Sequence, residues 1–217
     1  MKTKTPFRDR RDAGRVLSSE LSDYANRTDV VVLALPRGGI PVAFELARAL
    51  GAPMDVHLAR KLGVPGEPEV AMGAIAEGGH AVLKQQLIRD MGIPREEIED
   101  TAVNEWIELD RRRTMYRQGR SRVPLAGKVA ILVDDGLATG STALAAVRDL
   151  RDLNTQKIVV AAPVADAYAC REIEKEADEV TCAMIPTPFQ AVGNWYHDFS
   201  QTSDEEALDL LQRAQLS

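Results

Sequence analysis

The chain has 217 residues, 45% of them apolar, a net charge of −6 at pH 7 and a sequence pI near 5.2. That length and apolar content suit one α/β domain with a small appendage, while the acidity argues against a general nucleic-acid binder. No apolar run approaches a membrane span, and two cysteines, Cys170 and Cys182, are too few for a disulfide framework and lack metal-ligand spacing.

Residues 7–24 read as an amphipathic helix, with Ala13, Val16, Leu17 and Leu21 at helical spacing. A strand follows at Val30 to Leu35, then the loop Pro36-Arg37-Gly38-Gly39 and a helix from Ile40 to Leu50 closed by Gly51. Met54 to Leu58 is a second strand. Residues 62–69, rich in Gly and Pro, read as a mobile loop. Val70 to Ala76 and Ala81 to Leu83 form a hairpin around Gly78-Gly79. Residues 94–120 read as an inserted helical region with the stripe Ile98, Ala102, Trp106 and Leu109. Strands at Lys128 to Val133, Ile158 to Pro163 and Glu179 to Met184 alternate with helices at Ser141 to Leu153 and near Asp166 to Glu176. An aromatic-rich stretch at 186–200 precedes a closing helix from Asp204. The alternation predicts a doubly wound parallel sheet, in one domain spanning 1–217.

The most informative run is Ala130 to Thr142. A buried strand ends in Asp134 and Asp135, and the small-residue loop Gly136-Leu137-Ala138-Thr139-Gly140 leads into a helix that opens with Ser141-Thr142. Loop amides and a helix N-terminus suit a phosphate, and ionised carboxylates accept hydrogen bonds from hydroxyls, so the pair suits a sugar phosphate. A P-loop ATPase would need G-x-x-x-x-G-K-[ST], a dinucleotide binder G-x-G-x-x-G and an acyl hydrolase G-x-S-x-G; none is present. A receiver domain would carry its acidic pair near the chain start.

Arg37 beside Gly38 and Gly39 offers a cation and accessible backbone to an oxyanion. Arg60-Lys61 follows the second strand and gives two further cations. Four of the ten aromatic residues lie between Phe189 and Phe199, where Asn194, Trp195 and Tyr196 combine stacking rings with polar groups. The cluster Arg111, Arg112, Arg113, Arg117, Arg120 and Arg122 sits where cations complement a helix C-terminus; a charged flap, a subunit contact or an RNA-facing surface are the alternatives.

Val133-Asp134-Asp135 with Thr139-Gly140-Ser141-Thr142 resembles the ribose-phosphate signature of type I phosphoribosyltransferases. The likeness runs from about Phe7 to Phe199, and is nearest to predicted, uncharacterised bacterial members that share Pro-Arg-Gly-Gly and Val-Asp-Asp-Gly-Leu-Ala-Thr-Gly. It implies that Asp134 and Asp135 hold the ribose hydroxyls of phosphoribosyl pyrophosphate and that residues Gly136 to Thr142 hold its 5′-phosphate. It further implies that Arg37, Gly38, Gly39, Arg60 and Lys61 grip pyrophosphate, and that Asn194, Trp195 and Tyr196 belong to a hood over the base. Residues 62–69 would then be a lid, and Mg²⁺ would be held mainly by the ligand's own oxygens rather than by protein ligands. Ala138 departs from hypoxanthine-guanine members, which carry an acidic residue there.

The expected activity is phosphoribosyl transfer to a purine-like base, with Asp134, Asp135, Arg37 and Lys61 in the reaction, by a homodimer. The run Met1 to Phe7 lacks a secretory apolar stretch, so the cytoplasm is the expected location. A non-catalytic sensor of phosphoribosyl pyrophosphate or a nucleotide, and a hydrolase using water as acceptor, are the competing readings.

Overall fold

A computed structural model describes residues 6–215 of the chain; Met1 to Thr5, most of the run inspected for a secretory stretch, lies outside them. Five strands, β1 (Val30–Ala34), β2 (Met54–Val56), β6 (Val129–Val133), β7 (Lys157–Val164) and β8 (Glu179–Met184), form a parallel sheet in the order β2-β1-β6-β7-β8. The doubly wound expectation holds. Strand order reverses between β1 and β6, which pair in register from Val30↔Val129 to Ala34↔Val133. In such sheets the crevice beyond the carboxyl ends of the two strands at the reversal is where ligands bind.

Both central strands are apolar at every position because both faces are covered. Alternation divides their side chains between two cores. Val30, Val32, Ala34, Val129, Ile131 and Val133 face α1 (Arg10–Glu20), α2 (Gly39–Leu50) and α7 (Asp204–Ala214). Val31, Leu33, Ala130 and Leu132 face α5 (Ser141–Asp152) and α6 (Ala167–Ile173). The first helix is shorter than the sequence suggests. Asp9 caps it by accepting from the Asp12 amide, while Phe7 is extended and bridges to Tyr196.

The reading of residues 62–69 as a loop is corrected. β3 (Ala59–Val64) and β4 (Glu67–Ala76) are antiparallel and turn tightly at Pro65-Gly66, where Gly66 has φ +81°, a value that favours glycine. The Gly and Pro residues that suggested a loop make a two-residue turn and an irregular register near Gly63. With β5 (Ala81–Leu83) these strands form a second, antiparallel sheet, so the expected hairpin is part of a three-stranded wing. α3 (Gln85–Met91) was not foreseen, and α4 (Arg95–Arg117) fills the expected helical region. Ile98, Ala102 and Leu109 pack inward, whereas Trp106 lies off that stripe and is 36% exposed.

The wing is fastened by buried charge. Glu77 accepts from Arg117 (2.8 Å) and Arg122 (2.5 Å), and Asp149 of α5 accepts from the Gly78 and His80 amides at 2.5 and 3.2 Å. Arg111 and Arg112 both bond Glu108, Arg113 pairs with Asp110, and Arg120 donates to the Tyr116 and Arg117 carbonyls. The arginine cluster is therefore used within the fold, and Arg112 alone of it also lines the central cleft. No helix is long and apolar enough to cross a membrane among the described residues.

Candidate functional site

The loops after β1 and β6 meet at the sheet's reversal. Gly39 packs on the end of β6, where a Cβ would fall 2.5 Å from the Val133 carbonyl oxygen. A Cβ on Gly38 would collide with the Asp135 carboxylate, so the pair of glycines lets the two loops touch. The Pro36–Arg37 peptide is cis.

Asp134 and Asp135 stand at the C-terminal end of β6, and Asp134 lines two adjoining cavities. The larger, about 680 Å³, lies between Pro36, Arg60, Lys61, Gly66, Arg112 and Asp134. The smaller, about 300 Å³, lies between the loop Gly136 to Ala143 and the wing. Burial, and next the charge of Asp135, push the Asp134 carboxyl well above its ordinary value. Burial raises Asp135 as well, against the opposing charge of Arg10, whose Nε donates to it at 2.7 Å. Arg10 also donates to the Ser200 carbonyl at 2.7 Å and lies 4.0 Å over the Phe199 ring. Sequence reasoning missed Arg10 because it lies 125 residues from its partner, with no local motif to mark it.

Within the loop, roles differ from residue to residue. Leu137 is buried; its amide donates to the Val164 carbonyl and its own carbonyl accepts from Asp166, so it anchors the loop to β7 while also lining the smaller cavity. Among the described residues, no protein acceptor takes the amides from Ala138 to Thr142, and these open onto the smaller cavity with the hydroxyls of Thr139, Ser141 and Thr142. Free amides at the start of a 12-residue helix are a ready anion site.

Arg60 and Lys61 leave β3 on opposite faces. Alternation along β3 sends Arg60 toward α4, where it pairs with Glu105 at 2.5 Å, and Lys61 toward α5. Both still border the larger cavity. Arg37 reaches Asp204 at the start of α7, at 3.5 Å. The wing adds a cation that sequence reasoning passed over: Lys84, just beyond β5, lines the smaller cavity with Lys61.

The aromatic stretch is divided. Tyr196 is buried, its hydroxyl donates to the Asp135 carbonyl at 2.5 Å, and its ring lies between Phe7 and Phe199 at centroid distances of 5.5 and 5.0 Å. That corrects its reading as a base-stacking ring: its contacts fix the hood to the signature loop. Trp195 is half-buried, and its shielded Nε1–H has no protein acceptor among the described residues. Asn194 is exposed and donates to Gln190.

Residues 8–198 match the family model described as a phosphoribosyl transferase domain. Over 208 residues the chain is 46% identical to "Putative phosphoribosyl transferase Rv0571c" of Mycobacterium tuberculosis, covering 96% of this chain and 47% of that protein. The chain thus spans about half the length of that relative. Among solved structures, TT1426 from Thermus thermophilus superposes with a TM-score of 0.78 at 39% identity, over 96% of this chain and 99% of that one. The AQ2163 protein of Aquifex aeolicus, 13% identical, shares the fold with a TM-score of 0.52 over 93% of this chain and 84% of that one.

Proposed function

The chain belongs to the phosphoribosyl transferase family, and from that membership we propose that it transfers a phosphoribosyl group from phosphoribosyl pyrophosphate to a ring nitrogen of a purine-like base, with Mg²⁺. The observation that carries this reading is the placement of Asp134 at the seam of two cavities. The smaller is walled by free amides and hydroxyls, the larger by Arg60, Lys61 and Arg112. A ligand with a phosphate at one end, a diol in the middle and a pyrophosphate at the other matches that sequence of surfaces.

In this reading the loop amides take the 5′-phosphate, and Asp134 and Asp135 accept from the ribose hydroxyls. As the bond from the anomeric carbon to pyrophosphate breaks, the ribose ring becomes oxocarbenium-like, and the two carboxylates offset the growing positive charge. Lys61, and Arg37 once it leaves Asp204, stabilise the departing pyrophosphate. The β3–β4 turn bounds the larger cavity and limits access of water, which would compete with the base. Trp195 offers a ring and an unpartnered donor to the base, with Asn194 beside it.

Two adjacent, desolvated carboxylates are hard oxygen donors whose mutual repulsion a divalent cation relieves, so the site fits Mg²⁺. In this reading such an ion would take most of its ligands from the substrate, with Asp134 and Asp135 beside it. When bound it supplies charge neutralisation to the leaving group.

The test is pyrophosphate release from phosphoribosyl pyrophosphate across a panel of bases, beside calorimetric binding with Mg²⁺. Wild-type protein turns over with at least one base, and the Asp134→Asn/Asp135→Asn protein loses about 10³-fold or more. Tight binding with no turnover on any base would favour a sensor instead. Unchanged turnover in the double variant would move the reaction to another site.

A further inference from the structure

The wing sheet has two faces, and its alternation sorts cations between them. Ala59 belongs to the core cluster that contains α5 and Val82 packs against it; Lys61 follows Ala59 by two residues and lies on the same face, and Lys84 stands one residue past the end of β5. Both reach the smaller cavity, opposite the loop that opens α5. Among the described residues, Lys84 has no carboxylate ion pair and its side chain makes no hydrogen bond. Burial, and next the charge of Lys61, lower its pKa. A half-buried ammonium beside a like charge is costly unless an anion joins it. The facing wall has amides without a protein acceptor and the hydroxyls of Thr139, Ser141 and Thr142, so the cavity has donors on both sides and, among the described residues, one carboxylate, Asp134, at its edge.

We propose that Lys84 is a ligand of the 5′-phosphate, closing the phosphate site from the wing while the loop amides close it from the core. The inference rests on the function proposed above and extends it: the phosphate site has two walls, and the second is supplied by an antiparallel sheet outside the parallel one. Neither the strand-loop-helix pattern nor the spacing of Thr139 to Thr142 indicates it, because Lys84 is more than 50 residues away in the chain and no local motif marks it.

The experiment compares binding of ribose 5-phosphate, inorganic phosphate, pyrophosphate and phosphoribosyl pyrophosphate to wild type, Lys84→Met and Lys84→Arg. Circular dichroism checks each variant for folding. Lys84→Met keeps the apolar stem and removes the charge. It is expected to weaken ribose 5-phosphate, inorganic phosphate and phosphoribosyl pyrophosphate by about ten-fold or more and to flatten their salt dependence, with pyrophosphate affinity unchanged. Lys84→Arg retains most of the binding. Unchanged ribose 5-phosphate affinity in a folded Lys84→Met protein overturns the proposal and leaves the parent reading intact. So does a loss confined to pyrophosphate, which would place Lys84 at the leaving group. Wild-type protein that binds none of the four overturns both.

Discussion

The loop after β6 and the stretch after β8 both leave the carboxyl end of a core strand, and both were expected to touch ligand. Their chemistry diverges. In the first, polar groups are left without partners: five consecutive amides from Ala138 to Thr142 have no protein acceptor among the described residues, and Asp134 is pushed toward protonation by burial and by Asp135. In the second, most are satisfied internally: Tyr196 bonds the Asp135 carbonyl, Phe199 lies beneath Arg10, and Phe7 closes the cluster from the N-terminal side. Unmet hydrogen-bonding capacity and charge at a folding cost distinguish a surface built for a ligand from one built to hold that surface in place. Trp195, with its shielded and unpartnered Nε1–H, is the one described hood side chain of the loop's kind.

The largest effect that sharpens this contrast comes from Asp134→Asn. Its folded-state pKa is raised, so ionising it costs the folded protein stability at every pH above the unfolded value, and that cost disappears as pH falls through the raised pKa. Asparagine removes the cost. The single variant should therefore melt higher than wild type near pH 7.5, by a margin that shrinks on acidification, while turnover falls about 10²–10³-fold. Wild-type activity should carry an acid limb above the ordinary carboxylate value of 3.8 for the same reason. Thermal melts at several pH values and a pH–rate profile check both halves. A variant that is less stable at neutral pH would show that Asp134 is held by favourable contacts, and the contrast with the hood would collapse.

The parallel sheet was legible because its strands are uninterrupted apolar runs that alternate with helices, and β8 matches its expected limits, Glu179–Met184. The anion loop was legible because Gly, Thr and Ser cluster within a few positions of a strand end. What escaped depends on distance or on parity. Arg10 meets Asp135 across 125 residues, and Lys84 reaches the smaller cavity only because the wing folds beside the loop that opens α5. The Pro65-Gly66 turn was mistaken for a loop because the same two residues serve both, and only the pairing of Val64 with Glu67 separates the cases. Arg60 and Lys61 are neighbours in sequence, and a strand turns them to opposite faces although both border the larger cavity.

Tyr196→Phe tests the supporting half of the comparison. The phenol donates at 2.5 Å to a backbone carbonyl in a buried setting, so deleting the hydroxyl should cost about 1–3 kcal/mol, or several degrees in melting temperature for a chain of this size. Because that carbonyl belongs to Asp135, KM for phosphoribosyl pyrophosphate should rise while KM for the base holds. Trp195→Phe should do the reverse, raising KM for the base with little change in stability. A Tyr196→Phe protein of unchanged stability and altered base preference would return Tyr196 to the ligand.

The smallest effect concerns Arg37. It lies 3.5 Å from Asp204, with the two side chains 24% and 37% exposed, an ion pair worth about 0–1 kcal/mol. If Arg37 grips pyrophosphate, that pair must open on binding, and its opening subtracts from affinity. Asp204→Asn keeps an acceptor for the Tyr116 hydroxyl, which lies 2.9 Å from the carboxylate, and removes only the charge that detains Arg37. Pyrophosphate affinity should then rise by no more than about five-fold, with a melting temperature within a few degrees of wild type. Arg37→Ala should lower the same affinity. If neither variant changes it, Arg37 belongs with Tyr196 among the groups that hold the site, and the leaving-group charge falls to Lys61 and the ligand's own cation.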